Sequence, residues 1–443
     1  MSVDTLRAVE AELATRWPES RIEPSLDRIR DLTDVLGRPQ DAYPVIHITG
    51  TNGKTSTARM IDELLRELGL RTGRFTSPHL VSVTERICLD GEPIDEDRFV
   101  AAYRELAPYL DLVDARHDVR LSYFEVLVAL AYATFADAPV DVAVVEVGMG
   151  GVWDATNVAD GKVAVVTPIA VDHADYLGDT VEQIAEEKAG VIKAGALVVV
   201  GRQPDEAADV LARHAVEVGA TVVVEDANFA VRNRRLAVGG QVLAVRGLAG
   251  DYDELTLPVH GAYQASNAAC AVAAVEAFVG GGRESLDTEA VHSALGRVGS
   301  PGRLEVLRRS PTIMVDAAHN PAGARALSEA IQEEFAFTKL VGVVAVLGDK
   351  DVRGILEELE PILATVVVTE NSSPRRLPVA DLAAVAEQVF GADRTIRARS
   401  LPDAIDVAVG LVEQDAIFGG AGVLLTGSVV TAGDARHLLG VSR

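Results

Sequence analysis

The segment Gly50-Thr51-Asn52-Gly53-Lys54-Thr55-Ser56 follows the apolar run Val45-Ile46-His47-Ile48. It opens a pattern with Ile61, Leu64, Leu65 and Leu68 at i, i+3, i+4 and i+7. A strand, a glycine turn and a helix start in that order form a phosphate-binding loop. Backbone N–H groups at the helix N-terminus converge on phosphate oxygens, the lysine adds charge, and a hydroxyl can reach a bound magnesium ion. The general nucleotide-binding pattern puts its first glycine where this chain has Ile48; here the glycine is Gly50. The bland alternative is an ordinary Gly/Asn turn, and the strand, lysine and hydroxyls together argue against it.

Other polar residues end apolar runs, where ligands of open α/β sheets bind. Glu146 closes Val140–Val147 and precedes Gly148-Met149-Gly150-Gly151, whose bare backbone would let a ligand approach. It is a candidate magnesium ligand, or an acid that merely ends a strand. Asp172-His173 follows Val163–Ile169, and His173 could hold a second metal ion or be a structural histidine. In the second half Asp316-Ala317-Ala318-His319-Asn320-Pro321 follows Ile313-Met314-Val315. Arg303 could swing onto a phosphate or serve as a salt bridge.

Lys188 is less obvious. Thr180 and Gln183 have capping-box spacing, after which Val181, Ile184, Ala185 and Lys188 fall on one helical stripe while Glu182 and Glu186 face away. A desolvated lysine exposes a neutral amine that can take up carbon dioxide as a carbamate, an anion able to ligate magnesium. On the residues alone a snorkelling or salt-bridged lysine is the simpler account.

The elements that must position these groups are β-branched runs alternating with helical patterns. They are Val45–Thr49, Val140–Val147, Val163–Ile169, Leu197–Val200 and Thr221–Glu225, then Ile313–Asp316, Leu340–Leu347, Thr365–Thr369 and Val423–Thr426. Strands without polar alternation, separated by helices, predict a mostly parallel sheet covered on both faces. Asn228 to Leu257 alternates polar and apolar residues around Gly239-Gly240 and reads as a small antiparallel appendage. The cluster Gly299-Ser300-Pro301-Gly302 reads as an interdomain hinge, dividing residues 1–299 from 300–443. The run Val126 to Ala136 is too short to span a bilayer and reads as a buried helix.

The 443 residues and 48% hydrophobic content allow two or three domains with real cores. A net charge of -25 argues against nucleic-acid and anionic-membrane partners, so an anionic substrate must be held by local cations and metal ions. Cys88 and Cys270 are far apart and lack metal or redox spacing, which fits a reducing compartment and core packing. The N-terminal residues Asp4, Leu6, Val9, Glu10 and Leu13 are unlike a cleavable secretion signal. The expectation is a cytoplasmic enzyme acting as a monomer on small molecules.

Taken together, the motifs resemble the Mur ligase superfamily, and in detail its folate branch of dihydrofolate synthases and folylpolyglutamate synthases. The resemblance rests on Thr49–Ser56, Phe75-Thr76-Ser77-Pro78-His79-Leu80, Glu85-Arg86, Ser122-Tyr123-Phe124-Glu125, Glu146–Gly151 and Asp154-Ala155-Thr156-Asn157. It extends through Asp172-His173, Glu187-Lys188-Ala189-Gly190, Gln264 with Asn267-Ala268, Pro301-Gly302-Arg303 and Asp316–Pro321. It implies an α/β chain with a P-loop-containing, mostly parallel N-terminal ATPase domain and a smaller Rossmann-like C-terminal glutamate ligase domain. It further implies ATP held by Asn52, Gly53, Lys54, Thr55, Ser56, Asn267, Arg303 and Asp316. One magnesium ion would sit at Ser77 and Glu146, and another at His173 and a carbamylated Lys188. His319 resembles a family residue near the reacting phosphate and joins Lys54 and Lys188 as a candidate for the chemistry. The pterin would lie near Leu26, Asp27, Arg28, Arg86, Ser122, Tyr123, Phe124, Glu125, Trp153, Asp154 and Ala155.

Three residues depart from the branch: Val152 stands where arginine is usual after Gly150-Gly151, Tyr263 replaces a common histidine, and Thr55 replaces a common glycine. The implied reaction makes chemical sense. A carboxylate is a poor electrophile, so it attacks the γ-phosphate of ATP to give an acyl phosphate, and the amine of L-glutamate then displaces phosphate. The implied acceptors are dihydropteroate and tetrahydrofolates. A peptidoglycan-type ligase, or a catalytically silent nucleotide-binding regulator, are the rival readings; the Phe75–Leu80 and Ser122–Glu125 motifs speak against the first and the retained phosphate and metal residues against the second.

Overall fold

The computed structural model describes residues 5–18, 23–414 and 420–441. The chain divides into two compact units. One holds the residues up to Arg234 with Leu243–Leu257 and Ser266–Val298; the other holds Arg235–Val242, Pro258–Ala265 and the chain from Gly299 onward.

The first unit is built on an eight-stranded sheet of β1 (Val45–Thr49), β2 (Thr72–Phe75), β3 (Ile87–Leu89), β4 (Glu92–Pro93), β5 (Val142–Glu146), β6 (Gly161–Val166), β7 (Leu197–Val200) and β8 (Thr221–Val224). Their order is β4-β3-β2-β5-β1-β6-β7-β8. From β2 to β8 the neighbours are parallel, and only β3 and β4 run antiparallel at one edge. All five positions of β1 and of β5 are buried, as a strand covered on both faces requires. Helices supply the cover. Lys54–Glu67 buries Ala58, Ile61, Leu64 and Leu65, and Tyr123–Asp137 is buried along most of its length, which accounts for its long, mostly apolar run. Residues 126–136 are therefore the expected buried helix.

Three further strands, β9 (Ala230–Ala237), β10 (Gly240–Arg246) and β11 (Asp251–Leu257), form a separate sheet in the order β11-β10-β9, the appendage expected from the alternating pattern. The second unit carries β12 (Glu305–Arg309), β13 (Thr312–Val315), β14 (Lys339–Val344), β15 (Thr365–Val368), β16 (Thr395–Arg397) and β17 (Ala421–Thr426). Their order is β12-β13-β17-β14-β15-β16, parallel except for β12 against β13. Both units are thus α/β, with a larger parallel-rich sheet in the first and a mixed six-stranded sheet in the second. Cys88 and Cys270 are buried free thiols, in keeping with a packing role. Among the described residues no helix is long and apolar enough to cross a membrane.

Candidate active site

Because β2, β5, β1, β6, β7 and β8 are parallel, their carboxyl ends lie along one edge of the first sheet. Chain order and sheet order part company beside β1, where β5 and β6 flank it, and such a reversal opens a crevice for ligands. Candidate residues leave that edge side by side: the phosphate loop after β1, Glu146 at the end of β5, Ser77 just past β2, and the segment leading to His173 past β6. The registers Ile48↔Glu146 and Phe75↔Val145 place Glu146 beside the phosphate loop and Ser77 beside Glu146.

The loop's backbone is tightly seated. Gly50 has φ 138°, and a Cβ there would fall 1.9 Å from Thr167 Oγ1, so only glycine fits. Gly53 has φ 91° and faces Asn267, whose Oδ1 would lie 2.6 Å from an added Cβ. The helix Ala262–Gly280 therefore brings Asn267 to the phosphate loop. Lys54 Nζ donates to the carbonyls of Gly50 and Thr51, both at 3.1 Å. Thr55 Oγ1 lies 3.0 and 2.9 Å from the two oxygens of Glu146, a carboxylate only 1% exposed.

Lys188 is 3% exposed, and its Nζ donates to Gly50 O at 2.8 Å, the carbonyl that Lys54 also reaches. Burial first, and then the charge of Lys54, bring its ammonium down to about 7. Its helix, Val181–Ala189, is capped as expected by Thr180, which accepts from Gln183 N–H at 3.2 Å. The return half of the box differs: Gln183 Oε1 accepts from Asp179 N–H rather than from Thr180. Glu182 and Glu186 are exposed. Gly151 backs onto this helix so closely that a Cβ would lie 2.7 Å from Glu187 O and 2.9 Å from Lys188 O. His173 has φ 54°; its N–H donates to Asp172 Oδ1 at 2.9 Å, and its Nε2 stands 3.8 Å from Asp172 Oδ2. No cluster of three or more histidine, cysteine or carboxylate side chains is assembled among the described residues. A metal ion would have to draw on the mixed set of hydroxyl, carboxylate, imidazole and modified amine. Glu146, buried beside the loop, offers the oxygen donors that hard cations prefer, and Lys188 would offer them only as a carbamate.

The expected pterin residues fall into two groups. Arg86 Nε donates to His79 Nδ1 at 2.9 Å and its guanidinium stands 5.5 Å from the Tyr123 ring centroid. Phe124 packs against Phe75 and against Gly148, where a Cβ would sit 2.5 Å from the ring. Trp153 N–H donates to Glu187 Oε1 at 3.3 Å, next to Lys188. The second group is likewise engaged within the protein. Arg28 Nε donates to both oxygens of Glu125 at 3.1 and 3.3 Å, and Glu125 closes a capping box with Ser122. Asp154 is buried; it accepts from Met149 N–H and Thr156 N–H, both at 2.9 Å, and from the Thr156 hydroxyl. Leu26 packs against the core, Ala155 is buried and Asp27 is exposed. Val152, also exposed, lies against Gly190, where an added Cβ would meet its Cγ2 at 2.4 Å.

In the second unit Asp316 leaves β13 and is buried, which raises its carboxyl; Oδ2 accepts from Leu304 N–H at 2.7 Å and Oδ1 from Ala318 N–H at 2.8 Å. His319 Nδ1 donates to Ala317 O at 2.9 Å, and Arg303 Nη1 donates to Gly302 O at 3.2 Å. The sequence pattern alone gives no separate role to His79, Asp172, Thr51 or Gln203. His79, Asp172 and Thr51 sit inside quoted motifs and Gln203 in none, but nothing in their spacing gives their partners.

Residues 302–429 match the Mur ligase, glutamate ligase domain, and residues 111–275 match the Mur ligase middle domain. A relative from Mycobacterium tuberculosis named dihydrofolate synthase/folylpolyglutamate synthase is 53% identical, over 99% of this chain and 94% of its own length. The chain belongs to the Mur ligase family. Its folate-branch resemblance holds in structure as well. The Mycobacterium tuberculosis folylpolyglutamate synthase complexed with ADP superposes with a TM-score of 0.95 at 54% identity, covering 98% of each chain. Escherichia coli FolC in complex with DHPP and ADP does so with a TM-score of 0.85 at 28% identity, again covering 98% of each. A nucleotide thus occupies Mur ligase relatives of this fold.

Proposed function

We propose that this protein is an ATP-dependent ligase that adds L-glutamate to dihydropteroate and to the terminal carboxyl of reduced folates, releasing ADP and phosphate. The observation that carries the reading is the convergence of Lys54 and Lys188 on Gly50 O, with Thr55 and Glu146 beside them. In that arrangement Thr55 belongs to the helix that follows the loop and only Glu146 to the neighbouring strand, and the whole sits at the switch point of a Mur ligase fold. The folate acceptor is supported by relatives named for that activity and by the aromatic set Tyr123, Phe124 and Trp153, flat apolar surface suited to a pterin.

In this reading Asn52 to Ser56, Asn267, Arg303 and Asp316 are the residues for the nucleotide. The acceptor carboxylate attacks the γ-phosphorus and the β–γ bridging bond breaks, giving ADP and an acyl phosphate. The glutamate amine then attacks the acyl carbon, phosphate leaves and the nitrogen loses a proton. Lys54 and Arg303 stabilise the charge on the transferring group. Ser77 and Glu146 would hold one magnesium ion, and His173 with a carbamylated Lys188 a second. Bound there, the ions would neutralise phosphate oxygens. His319 would lie near the reacting phosphate. Arg86, braced by His79 and Tyr123, would meet the acceptor, while Leu26, Asp27 and the Arg28–Glu125 pair, Ser122, Asp154 and Ala155 shape its surroundings.

The test is product mass. Purified protein with ATP, magnesium and L-glutamate is given dihydropteroate in one reaction and tetrahydrofolate in another, and a glutamyl adduct is expected from each. No adduct from either acceptor defeats the folate reading; adduct from one alone leaves a single activity.

A further inference from the structure

The segment that leaves β6 toward His173 is held from two sides by side chains that meet no ligand in the reading above. On one side is the phosphate loop. Thr51 N–H and Asn52 N–H both donate to Pro168 O, at 3.0 and 3.3 Å. The Thr51 hydroxyl donates to Ala170 O at 2.9 Å and accepts from Ala170 N–H at 3.0 Å, satisfying both polar groups of that residue. On the other side is Gln203, just past β7. Its Oε1 accepts from Ile169 N–H at 2.9 Å and its Nε2 donates to Thr167 O at 3.0 Å. The amide orientation is fixed, because a backbone N–H can only donate and a carbonyl can only accept. Four consecutive residues, 167 to 170, therefore have backbone groups bound by Thr51, Asn52 or Gln203.

We infer that Thr51 and Gln203 are positioning residues that lock the His173-bearing segment to the phosphate loop and thereby set magnesium-dependent nucleotide binding. This rests on the proposed roles of the loop and of His173. His173 follows Ala170 by three residues and has a left-handed backbone, φ 54°, a conformation that a non-glycine residue keeps only where its surroundings hold it. A side chain on a loop points where the backbone directs it, and groups that orient a metal ligand typically govern roughly 10–100-fold of affinity. The hydroxyl of Thr51 is thus the side-chain joint between the phosphate-binding and the imidazole-bearing halves of the site, beside the backbone bonds to Pro168.

Binding of a non-hydrolysable ATP analogue to the full chain, measured by calorimetry with magnesium and again with EDTA, separates positioning from support. Thr51→Val keeps the side-chain shape and removes both hydrogen bonds, while Thr51→Ser keeps them. Thr51→Val is expected to weaken binding about tenfold in magnesium and to leave the EDTA value unchanged, with Thr51→Ser near wild type. Gln203→Met, which removes the clamp from the other side, is expected to act in the same direction and serves alone if Thr51→Val does not fold. Unchanged binding in magnesium, an equal loss with and without magnesium, or a Thr51→Ser as weak as Thr51→Val overturns the inference. Wild-type protein that binds no analogue defeats the ligase reading itself, and the inference with it.

Discussion

Lys54 and Lys188 aim their ammonium groups at one carbonyl oxygen, Gly50 O, and that shared acceptor organises the residue-scale chemistry. Lys54 is only part buried, so Lys54→Ala is expected to leave the thermal transition within a few degrees while cutting ligase turnover by about 10²–10³. Turnover within twofold of wild type would remove Lys54 from the phosphate site. Lys188 is a different case, because its helix packs it inward against the loop. Lys188→Ala is expected to be inactive and to recover part of its turnover in formate or acetate, whose carboxylate can stand where a carbamate oxygen would. A carbon-13 carbamate signal should appear in wild type supplied with labelled bicarbonate and vanish in the variant. Its absence from wild type would dismiss the carbamate. The inward place of Lys188 was legible in the stripe Val181, Ile184, Ala185, Lys188, since helical periodicity is a local property. Its partner was not, because the contact with Gly50 joins segments 138 residues apart.

At the scale of elements, the strands that the sequence announces are those buried on both faces, such as β1, β5, β6 and β14, whose apolar runs have no alternation. The strands it hides are β2, β3, β4, β12 and β16. β2 contains Gly73 and Arg74, which by themselves discourage a core strand. Arg74 is tolerated there because Asp62 of the helix Lys54–Glu67 accepts from its guanidinium, a partner supplied only by the fold. β3, β4 and β16 are two or three residues long, below the length at which periodicity registers. The same distinction applies to Ser122-Tyr123-Phe124-Glu125. Its capping box is local and readable, whereas the buried ion pair of Glu125 with Arg28, 3.1 Å apart, joins two distant helices. Glu125→Ala removes half of the box and leaves Arg28 buried without its carboxylate. It is expected to cost about 3–5 kcal/mol, against roughly 1 kcal/mol for Ser122→Ala, where only the cap is lost. Urea denaturation compares the two, and equal costs would mean that the Arg28–Glu125 pair adds nothing beyond the cap.

For the whole molecule, a net charge of -25 favours mild acid, which relieves self-repulsion, and the carboxyls of Asp154, Asp316 and Glu225, all raised by burial, favour it too. A group whose folded pKa is raised stabilises fully below its unfolded value and loses that contribution as pH rises. His47 opposes them. It lies in β1 with no exposure, Nε2 is 2.9 Å from Thr156 Oγ1, and burial, aided by the charge of Lys193, brings its imidazole down to about 3. The Thr156 hydroxyl donates to Asp154, so Nε2 must carry a hydrogen and donate it to Thr156. With a folded pKa depressed below the unfolded value of about 6.5, its contribution is complete above that pH and is lost on the way down, at about 1.4 kcal/mol per unit. The opposing carboxyls hide this slope in the wild type alone. Gln at position 47 carries an amide nitrogen about where Nε2 sits and does not titrate, so His47→Gln isolates it. The protein's tryptophans, Trp17 and Trp153, both lie in the first unit, so their fluorescence in urea reports the unit that holds His47. Relative to its margin at pH 7.5, wild type is expected to lose about 2 kcal/mol against His47→Gln by pH 5. A margin that stays constant across that range would mean that the imidazole takes up its proton as readily in the folded chain as in the unfolded one.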